Sequence, residues 1–311
     1  MIQISYMSTG STFSQTPIMA SISYNLVRKW VRESAKLPEF PVACIYDFSN
    51  MYSTIQYFAT DKILTRMNEL TSILDLLKDS VGVELDWSMC TFPSKFAHKK
   101  TNDPLFFMIP IFPRGITTDL KKSDIIELAN IFQNISETVK NANCQYIVYD
   151  LPIVDTMSAN LALIPALLIS NYVIAVAECN KPNYNSLENE IRSLVTFTER
   201  VNKLADPPLK INGLILTHID EKVKSEKWIE KIEETFQIPI LGKINTDPHF
   251  SSTSSKYEIP TEEKHEKKLK HINDFYSTVD KLYEQISTNT IIRNVTHKQM
   301  EILEERIYSE F

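Results

Sequence analysis

The sequence predicts an α/β protein with a doubly wound, mainly parallel sheet of about seven strands and helices on both faces. Short apolar runs alternate with longer amphipathic stretches, and the short runs are apolar along their whole length. Strands of that kind are buried on both faces, as in a parallel sheet that helices cover on either side. With 311 residues, the chain is long enough to bury a large core in one domain.

Seven runs are predicted as strands: 2–7, 40–48, 104–112, 144–152, 172–178, 211–219 and 238–244. The stretch 123–141 repeats apolar residues at the i, i+3, i+4, i+7 spacing of an amphipathic helix. We assign residues 1–290 to one α/β domain and 291–311 to a C-terminal helix that either docks on it or binds a partner. The last helix carries one apolar stripe, formed by Met300, Leu303, Ile307 and Phe311.

Composition and charge narrow the function classes. The formal net charge is −6, so the chain lacks the overall excess of basic residues that is typical of nucleic-acid-binding proteins. A local basic patch could still bind DNA, so DNA binding stays open. Four cysteines lie far apart without a CxxC spacing, which predicts buried free thiols rather than a metal site. The longest apolar stretch, 161–177, is interrupted by Pro165, Ser170 and Asn171. We therefore expect no membrane span and a cytoplasmic protein.

Polar residues follow several predicted strands at the edge where ligands bind in open α/β sheets. Residues 8–17, STGSTFSQTP, lie between the first strand and the first helix, which is the position of a phosphate-binding loop. Asp47 ends the second run and Asp150 ends the fourth. Each acid also has a structural alternative, because an Asp at the end of a buried strand can cap the following turn.

The order of these segments resembles the ParA/MinD family of deviant Walker-A ATPases, over residues 1–290. The resemblance rests on the loop after the first strand and on four further segments: ACIYDFSNMYSTIQYF, YIVYDLP, INGLILTHID and IPILGKINTDPHF. It implies a P-loop NTPase-like fold and places a nucleotide site at Gly10, Ser11, Thr12, Ser14, Gln15, Thr16, Asp47 and Asp150. Thr16 and Asp150 would hold Mg²⁺ if nucleotide binds.

The same alignment indicates a degenerate Walker A loop. Gly10 and Gln15 stand where the family has its two lysines, and Ser49 stands at the second acid of the D-x-D element. A phosphate loop depends on glycines that let backbone N–H groups surround the phosphates and on a lysine that neutralises their charge. With these groups missing, we expect no cofactor and no ATP hydrolysis.

The resemblance therefore favours a pseudo-ATPase that acts as a scaffold or positioning partner in DNA segregation or in the placement of a cellular machine. A protein partner or an active homologue is expected, and a homodimer stays open. The alternative is a divergent but active ParA-like ATPase of plasmid or chromosome partition, which would bind ATP and Mg²⁺. In that case Arg28, Lys29, Lys62 or a partner chain would supply the missing charge.

Overall fold

The computed structural model describes residues 1–9, 12–34, 41–49, 53–75, 87–112, 122–141, 144–151, 153–154, 163–179, 184–205, 207–219, 225–245, 247–288 and 297–310. Eight strands are described: β1 (Ile2–Met7), β2 (Ala43–Asp47), β3 (Phe92–Pro93), β4 (Phe106–Pro110), β5 (Tyr146–Asp150), β6 (Tyr172–Glu178), β7 (Gly213–Ile219) and β8 (Ile240–Asn245). They form one sheet in the order β3-β4-β2-β5-β1-β6-β7-β8.

The strand pairing confirms the predicted sheet. All neighbouring strands are parallel except β3 and β4, which are antiparallel. Each of the seven predicted runs contains one strand. The eighth strand, β3, has two residues at the sheet edge, and so short a strand leaves no periodicity in the sequence.

The described helices are α1 (Thr12–Glu33), α2 (Ser53–Phe58), α3 (Asp61–Leu64), α4 (Lys122–Asn141), α5 (Leu163–Ile169), α6 (Tyr184–Asn202), α7 (Ser225–Phe236), α8 (Pro248–Ser254), α9 (Glu263–Glu266), α10 (Ile272–Thr288) and α11 (His297–Glu310). Two hydrophobic cores lie on opposite faces of the sheet. One contains residues of α4, α5, α6, α7 and α11, and the other contains residues of α1, α2 and α10. The sheet is thus covered on both faces.

The C-terminal helix α11 packs against α4. Met300 and Leu303 are buried in the core on that face. The guanidinium of Arg306 donates to the carbonyl of Lys203, just after α6, at 3.1 Å. The side chain of Ile307, and Phe311 as a whole, lie outside the described residues. The first half of the predicted stripe is therefore covered by the chain's own α/β domain.

All four cysteines are buried and free, as predicted. The Phe96 side chain, three residues after β3, packs against other aromatic side chains of the fold. Its ring centroid lies 4.8 Å from that of Tyr24 and 5.8 Å from that of Phe58. In the part of the chain that is described, no helix is long and apolar enough to cross a membrane.

Candidate functional site

The candidate site lies at the carboxyl edge of the central strands β1, β2 and β5, where α1 begins. Asp47 and Asp150 end two adjacent parallel strands and are register partners, so their side chains leave the sheet on the same face. Asp47 is 0% and Asp150 3% exposed. The fold thus places two buried carboxyl groups side by side.

The Asp150 carboxylate accepts hydrogen bonds from three side chains. The Gln15 amide donates to Oδ1 and the Thr16 hydroxyl donates to Oδ2, each at 2.8 Å. The Thr54 hydroxyl, from the first turn of α2, also donates to Oδ2. Residues from α1, α2 and β5 therefore meet at one carboxylate. The sequence reasoning missed Thr54, for which the only signal was a Ser-Thr pair a few residues after Asp47.

Asp47 accepts hydrogen bonds from the backbone. Its Oδ1 accepts from the N–H of Ser49 at 2.8 Å, and its Oδ2 accepts from the N–H of Ile55 at 3.0 Å. These bonds join the end of β2 to the first turn of α2. The geometry matches the structural alternative for this acid, in which an Asp at the end of a buried strand caps the following turn. Ser49 presents a hydroxyl where a second carboxylate would otherwise stand.

The Gln15 side chain lies against the ends of the strands. Besides bonding to Asp150, its amide nitrogen lies 2.7 Å from the Leu151 carbonyl oxygen and 3.3 Å from that of Tyr6. Its amide oxygen, Oε1, is buried and has no hydrogen-bond partner among the described residues. Gln15, which stands at the predicted lysine position, thus donates through its amide nitrogen to oxygens at the strand ends. Its amide oxygen has no hydrogen-bond partner among the described residues.

Burial dominates the electrostatics of the two acids. Burial, helped by the charge of Asp150 and opposed by backbone N–H groups, raises the pKa of Asp47 to about 7. Burial also raises the pKa of Asp150, against the hydrogen bonds from Thr54, Gln15 and Thr16. Among the described residues, no Lys, Arg or His forms an ion pair with either acid. The corner thus holds two buried carboxyl groups whose charged form burial disfavours.

Two of the basic residues considered as replacements for the missing lysines, Arg28 and Lys29, lie elsewhere. Arg28 and Lys29 are about 18 Å or more along α1 from Gln15, at 1.5 Å per residue. Arg28 pairs with Glu263 and Glu266 at 3.0 Å, and Lys29 pairs with Asp280 at 2.6 Å. Lys62 is exposed on α3. The geometry contradicts a role for Arg28 or Lys29 in this site.

The rest of the predicted loop is only partly described. Gly10 and Ser11 lie outside the described residues. Thr12 and Ser14 belong to the first turn of α1, but their side chains lie outside the description. The predicted nucleotide contacts of these four residues stay predictions.

Of the two ligands that the resemblance implies, the oxygen atoms of the described residues suit Mg²⁺ better than a nucleotide triphosphate. Carboxylate, hydroxyl and amide oxygens are the ligands of hard divalent cations, and Thr16 and Asp150 therefore fit Mg²⁺. A nucleotide triphosphate needs positive charge near its β and γ phosphates. The described part of this corner offers helix N–H groups and an uncharged amide, together with two acids. Thr16 and Asp150 offer oxygens of the kind that Mg²⁺ takes, but the described residues hold no group of three or more His, Cys, Asp or Glu that could bind a metal ion, and the fit to a triphosphate is poor.

Comparisons with known proteins identify the fold. MinD from Aquifex aeolicus aligns with a TM-score of 0.61 at 16% identity, over 91% of this chain and 97% of that one. A variant of McdA from Cyanothece, in complex with ATP, aligns with a TM-score of 0.62 at 12% identity, over 94% and 99%. A plasmid partition protein from Borrelia burgdorferi aligns with a TM-score of 0.59 at 15% identity, over 92% and 99%.

No protein-family model and no curated protein sequence matches the chain. The likeness to solved structures therefore establishes the fold, which is the α/β, P-loop NTPase-like fold of the MinD and ParA ATPases. The match extends over nearly the whole length of those proteins.

Proposed function

We propose that this chain belongs to the ParA/MinD group and acts as a pseudo-ATPase, a scaffold or positioning partner in DNA segregation or in the placement of a cellular machine. The observation that carries the proposal is the Gln15 side chain. It stands at the phosphate-gripping position of the predicted loop, carries no charge, and bonds to Asp150 and to strand-end carbonyls. A residue held in this way contributes nothing to neutralising a triphosphate.

The two buried acids support the same conclusion. Among the described residues, no Lys, Arg or His forms an ion pair with Asp47 or Asp150, so the described part of the corner offers no positive charge to a phosphate group. Ser49 lacks the carboxylate that would position or activate an attacking water. Phosphoryl transfer depends mainly on positioning and charge stabilisation, so the loss of these groups removes most of what catalysis needs.

The proposed cellular process and the proposed partners are supported by the proteins whose structures are similar to this chain. The similar structures include a MinC:MinD cell division complex and plasmid partition proteins. On the proposed function, this chain keeps the shape of a positioning ATPase and binds a protein partner, an active homologue or a second copy of itself without a nucleotide switch. Light scattering during size-exclusion chromatography, with and without ATP, measures whether the chain binds a second copy of itself.

The alternative is an active ATPase of plasmid or chromosome partition. Thr16 and Asp150, which are retained and hydrogen-bonded to each other, favour it, because both are expected magnesium-site residues. This alternative requires positive charge from the undescribed residues or from a partner chain.

Nucleotide binding distinguishes the two functions. We expect no heat when ATP or ADP is titrated at millimolar concentration into nucleotide-free protein, with or without Mg²⁺, and no phosphate release above buffer. Gln15→Lys tests the cause, since a restored lysine should raise ATP affinity measurably, whereas Gln15→Met, which has similar length and no charge, should not. Micromolar, magnesium-dependent binding by the unmodified chain would overturn the proposal.

A further inference from the structure

Residues 255–271, called the strap below, connect α8 to α10 and lie against one face of α1. We propose that the strap opens when the imidazole of His265 takes up a proton, and that opening exposes this face of α1 in acid. The proposal goes beyond the proposed function and does not depend on it, because the described contacts of Asp47, Asp150 and Gln15 involve no residue of the strap.

The strap is bonded to successive turns of α1. The Asn25 amide donates to the Thr261 hydroxyl at 2.7 Å, and the guanidinium of Arg28 pairs with Glu263 and with Glu266, each at 3.0 Å. Thr261 is 0% exposed, so the contact is tightly packed. The face of α1 that carries Asn25 and Arg28 is therefore covered by the strap.

Apolar packing holds the strap near its two ends and not in its middle. Ile259 is 0% and Leu269 6% exposed, and both lie in the core that contains α1 and α10. Between them, the short helix α9 has no buried residue. A segment with few buried apolar contacts opens at a lower free energy than the rest of the fold. The middle of the strap therefore depends on its polar contacts.

His265, in α9, lies among groups that do not suit a charged ring. Its side chain is 12% exposed, and its Nε2 lies 3.3 Å from Glu258 Oε2. Neither ring nitrogen makes a hydrogen bond to a described residue. The His249 ring, in α8, lies 5.5 Å away between centroids, and Lys264 pairs with the other oxygen of Glu258 at 2.9 Å. A protonated ring has two donors, whereas the carboxylate at ion-pair distance is shared with Lys264.

Charged groups of both signs surround His265. The charged and titratable groups that face it are Glu258, Glu262, Lys264 and His249. Further cations interact with the carboxylates of the strap: Lys95 from the loop after β3, Lys256 from the strap itself, and Arg28 from α1. Burial lowers the pKa of His265, with help from Lys264 and His249 and against the charges of Glu258 and Glu262. The docked strap thus disfavours the imidazolium form.

The docked strap therefore loses stability in acid. A histidine in a released strap titrates near ~6.5, and the docked His265 titrates lower. The contribution of His265 to docking is full above pH ~6.5 and is lost as the pH falls through the lower pKa of the docked ring. A hydrogen bond from Lys264 holds the pKa of Glu258 below its ordinary value, so this carboxylate stays charged while His265 titrates.

The test is hydrogen–deuterium exchange of the full chain at about pH 7.5 and about pH 5.5, measured by mass spectrometry and corrected for the intrinsic effect of pH. We expect the protection of residues 255–271 to fall about 3- to 10-fold at the lower pH, since each pKa unit corresponds to a factor of ten, and that of β6 not to fall. Local exchange is measured because the raised pKa of Asp47 makes the global stability change with pH in the opposite direction.

Variants identify the titrating group. His265→Asn and His265→Phe should each abolish the acid-dependent loss of protection, and the second keeps an aromatic ring. His218→Asn is the matched control, because His218 belongs to β7 and asparagine tolerates its φ of 53°. This control should show the same loss of protection in acid as the unmodified chain.

An NMR titration of the histidine rings in the unmodified chain completes the test, and we expect His265 to titrate below ~6.5. Strap protection that does not change in acid overturns the proposal, and so does an acid-dependent loss that persists in both His265 variants. If both variants loosen the strap at neutral pH, the NMR titration decides, because a His265 pKa at or above ~6.5 also overturns the proposal. The ATP titration that tests the proposed function has no bearing on any of these results.

Discussion

At the scale of single residues, the site is defined by which groups converge on Asp150. The ends of parallel strands meet at one edge of a sheet, so the proximity of Asp47, Asp150 and the start of α1 could be predicted from the sequence. The direction of the Gln15 amide could not, because it depends on the positions of the Leu151 and Tyr6 carbonyls. Thr54 could not be predicted either, since it reaches Asp150 only through the path of the chain after β2.

The raised pKa of Asp47 makes the stability of the fold depend on pH. An Asp in an unfolded chain titrates near ~4, whereas burial raises this pKa to about 7 in the folded protein. Between these values the folded state keeps a proton that the unfolded state has released. The contribution of Asp47 to the free energy of unfolding is therefore full below pH ~4 and is lost as the pH rises to about 7.

Asp47→Asn should remove that dependence. We expect the variant to lose less stability than the unmodified chain between pH 5 and pH 7.5, approximately the range set by the two pKa values. Urea denaturation at several pH values, without divalent cations, measures it. Asp103→Asn, at an exposed acid, is the control and should keep the original slope. Parallel pH profiles for the unmodified chain and Asp47→Asn would contradict the assignment.

At the scale of elements, the sheet was predictable except for its edge strand β3. The seven long strands are apolar along their whole length, which is the strongest sequence signal for a covered parallel sheet. The antiparallel strand β3 is held by pairing with β4 and by packing around Phe96, and neither leaves a periodic pattern. A similar limit applies to α11, whose stripe predicted a buried face without indicating what covers it.

The docking of α11 on the α/β domain predicts a stability cost for removing its central apolar side chain. Leu303 is 0% exposed, and Leu303→Ala should lower the free energy of unfolding by about 2–5 kcal/mol. Glu304→Ala, at the next and exposed position of the same helix, should change it by less than about 0.5 kcal/mol. Chemical denaturation gives both values. Equal, small effects would mean that α11 is not docked in solution.

The contact between β8 and α10 is close enough to require a glycine. A Cβ at Gly242 would lie 2.1 Å from Thr278 Oγ1 and 2.7 Å from its Cγ2. Gly242→Ala should therefore destabilise the fold by about 1–3 kcal/mol, as overpacking does.

Whether the clash with Thr278 causes the loss of stability in Gly242→Ala can be tested by shortening the Thr278 side chain. In a Thr278→Ala background the side-chain atoms that clash are gone, so Gly242→Ala should cost less than it does in the unmodified chain. The difference, obtained from a double-mutant cycle, measures the clash. Additive effects of the two substitutions would show that the steric contact is not the cause.

At the scale of the whole molecule, the distribution of charge argues against non-specific DNA binding. The net charge is −6, and two basic residues near α9 are paired: Lys264 with Glu258, and Arg28 with Glu263 and Glu266. Binding to the DNA backbone requires several unpaired Lys or Arg side chains on one surface.

We therefore expect no binding of a fluorescent random-sequence duplex at about 0.15 M salt. Fluorescence anisotropy at that concentration and at lower salt measures it. A positively charged DNA-binding protein of similar size serves as the control for the probe. Strong binding with a steep salt dependence would show that an undescribed segment or a dimer supplies a basic surface.

The position of β1 in the sheet has a consequence for the synthesis of the protein. The first strand of the chain lies in the interior of the sheet, between β5 and β6, so its partners are residues 146–150 and 172–175. On the ribosome, residues 2–7 emerge well before either partner strand and stay unpaired until residues 146–150 have been translated. Meanwhile β2, β4 and β3 can pair among themselves. The nascent chain therefore carries an unpaired apolar strand through much of its elongation, a state that chaperones recognise and that slower translation prolongs.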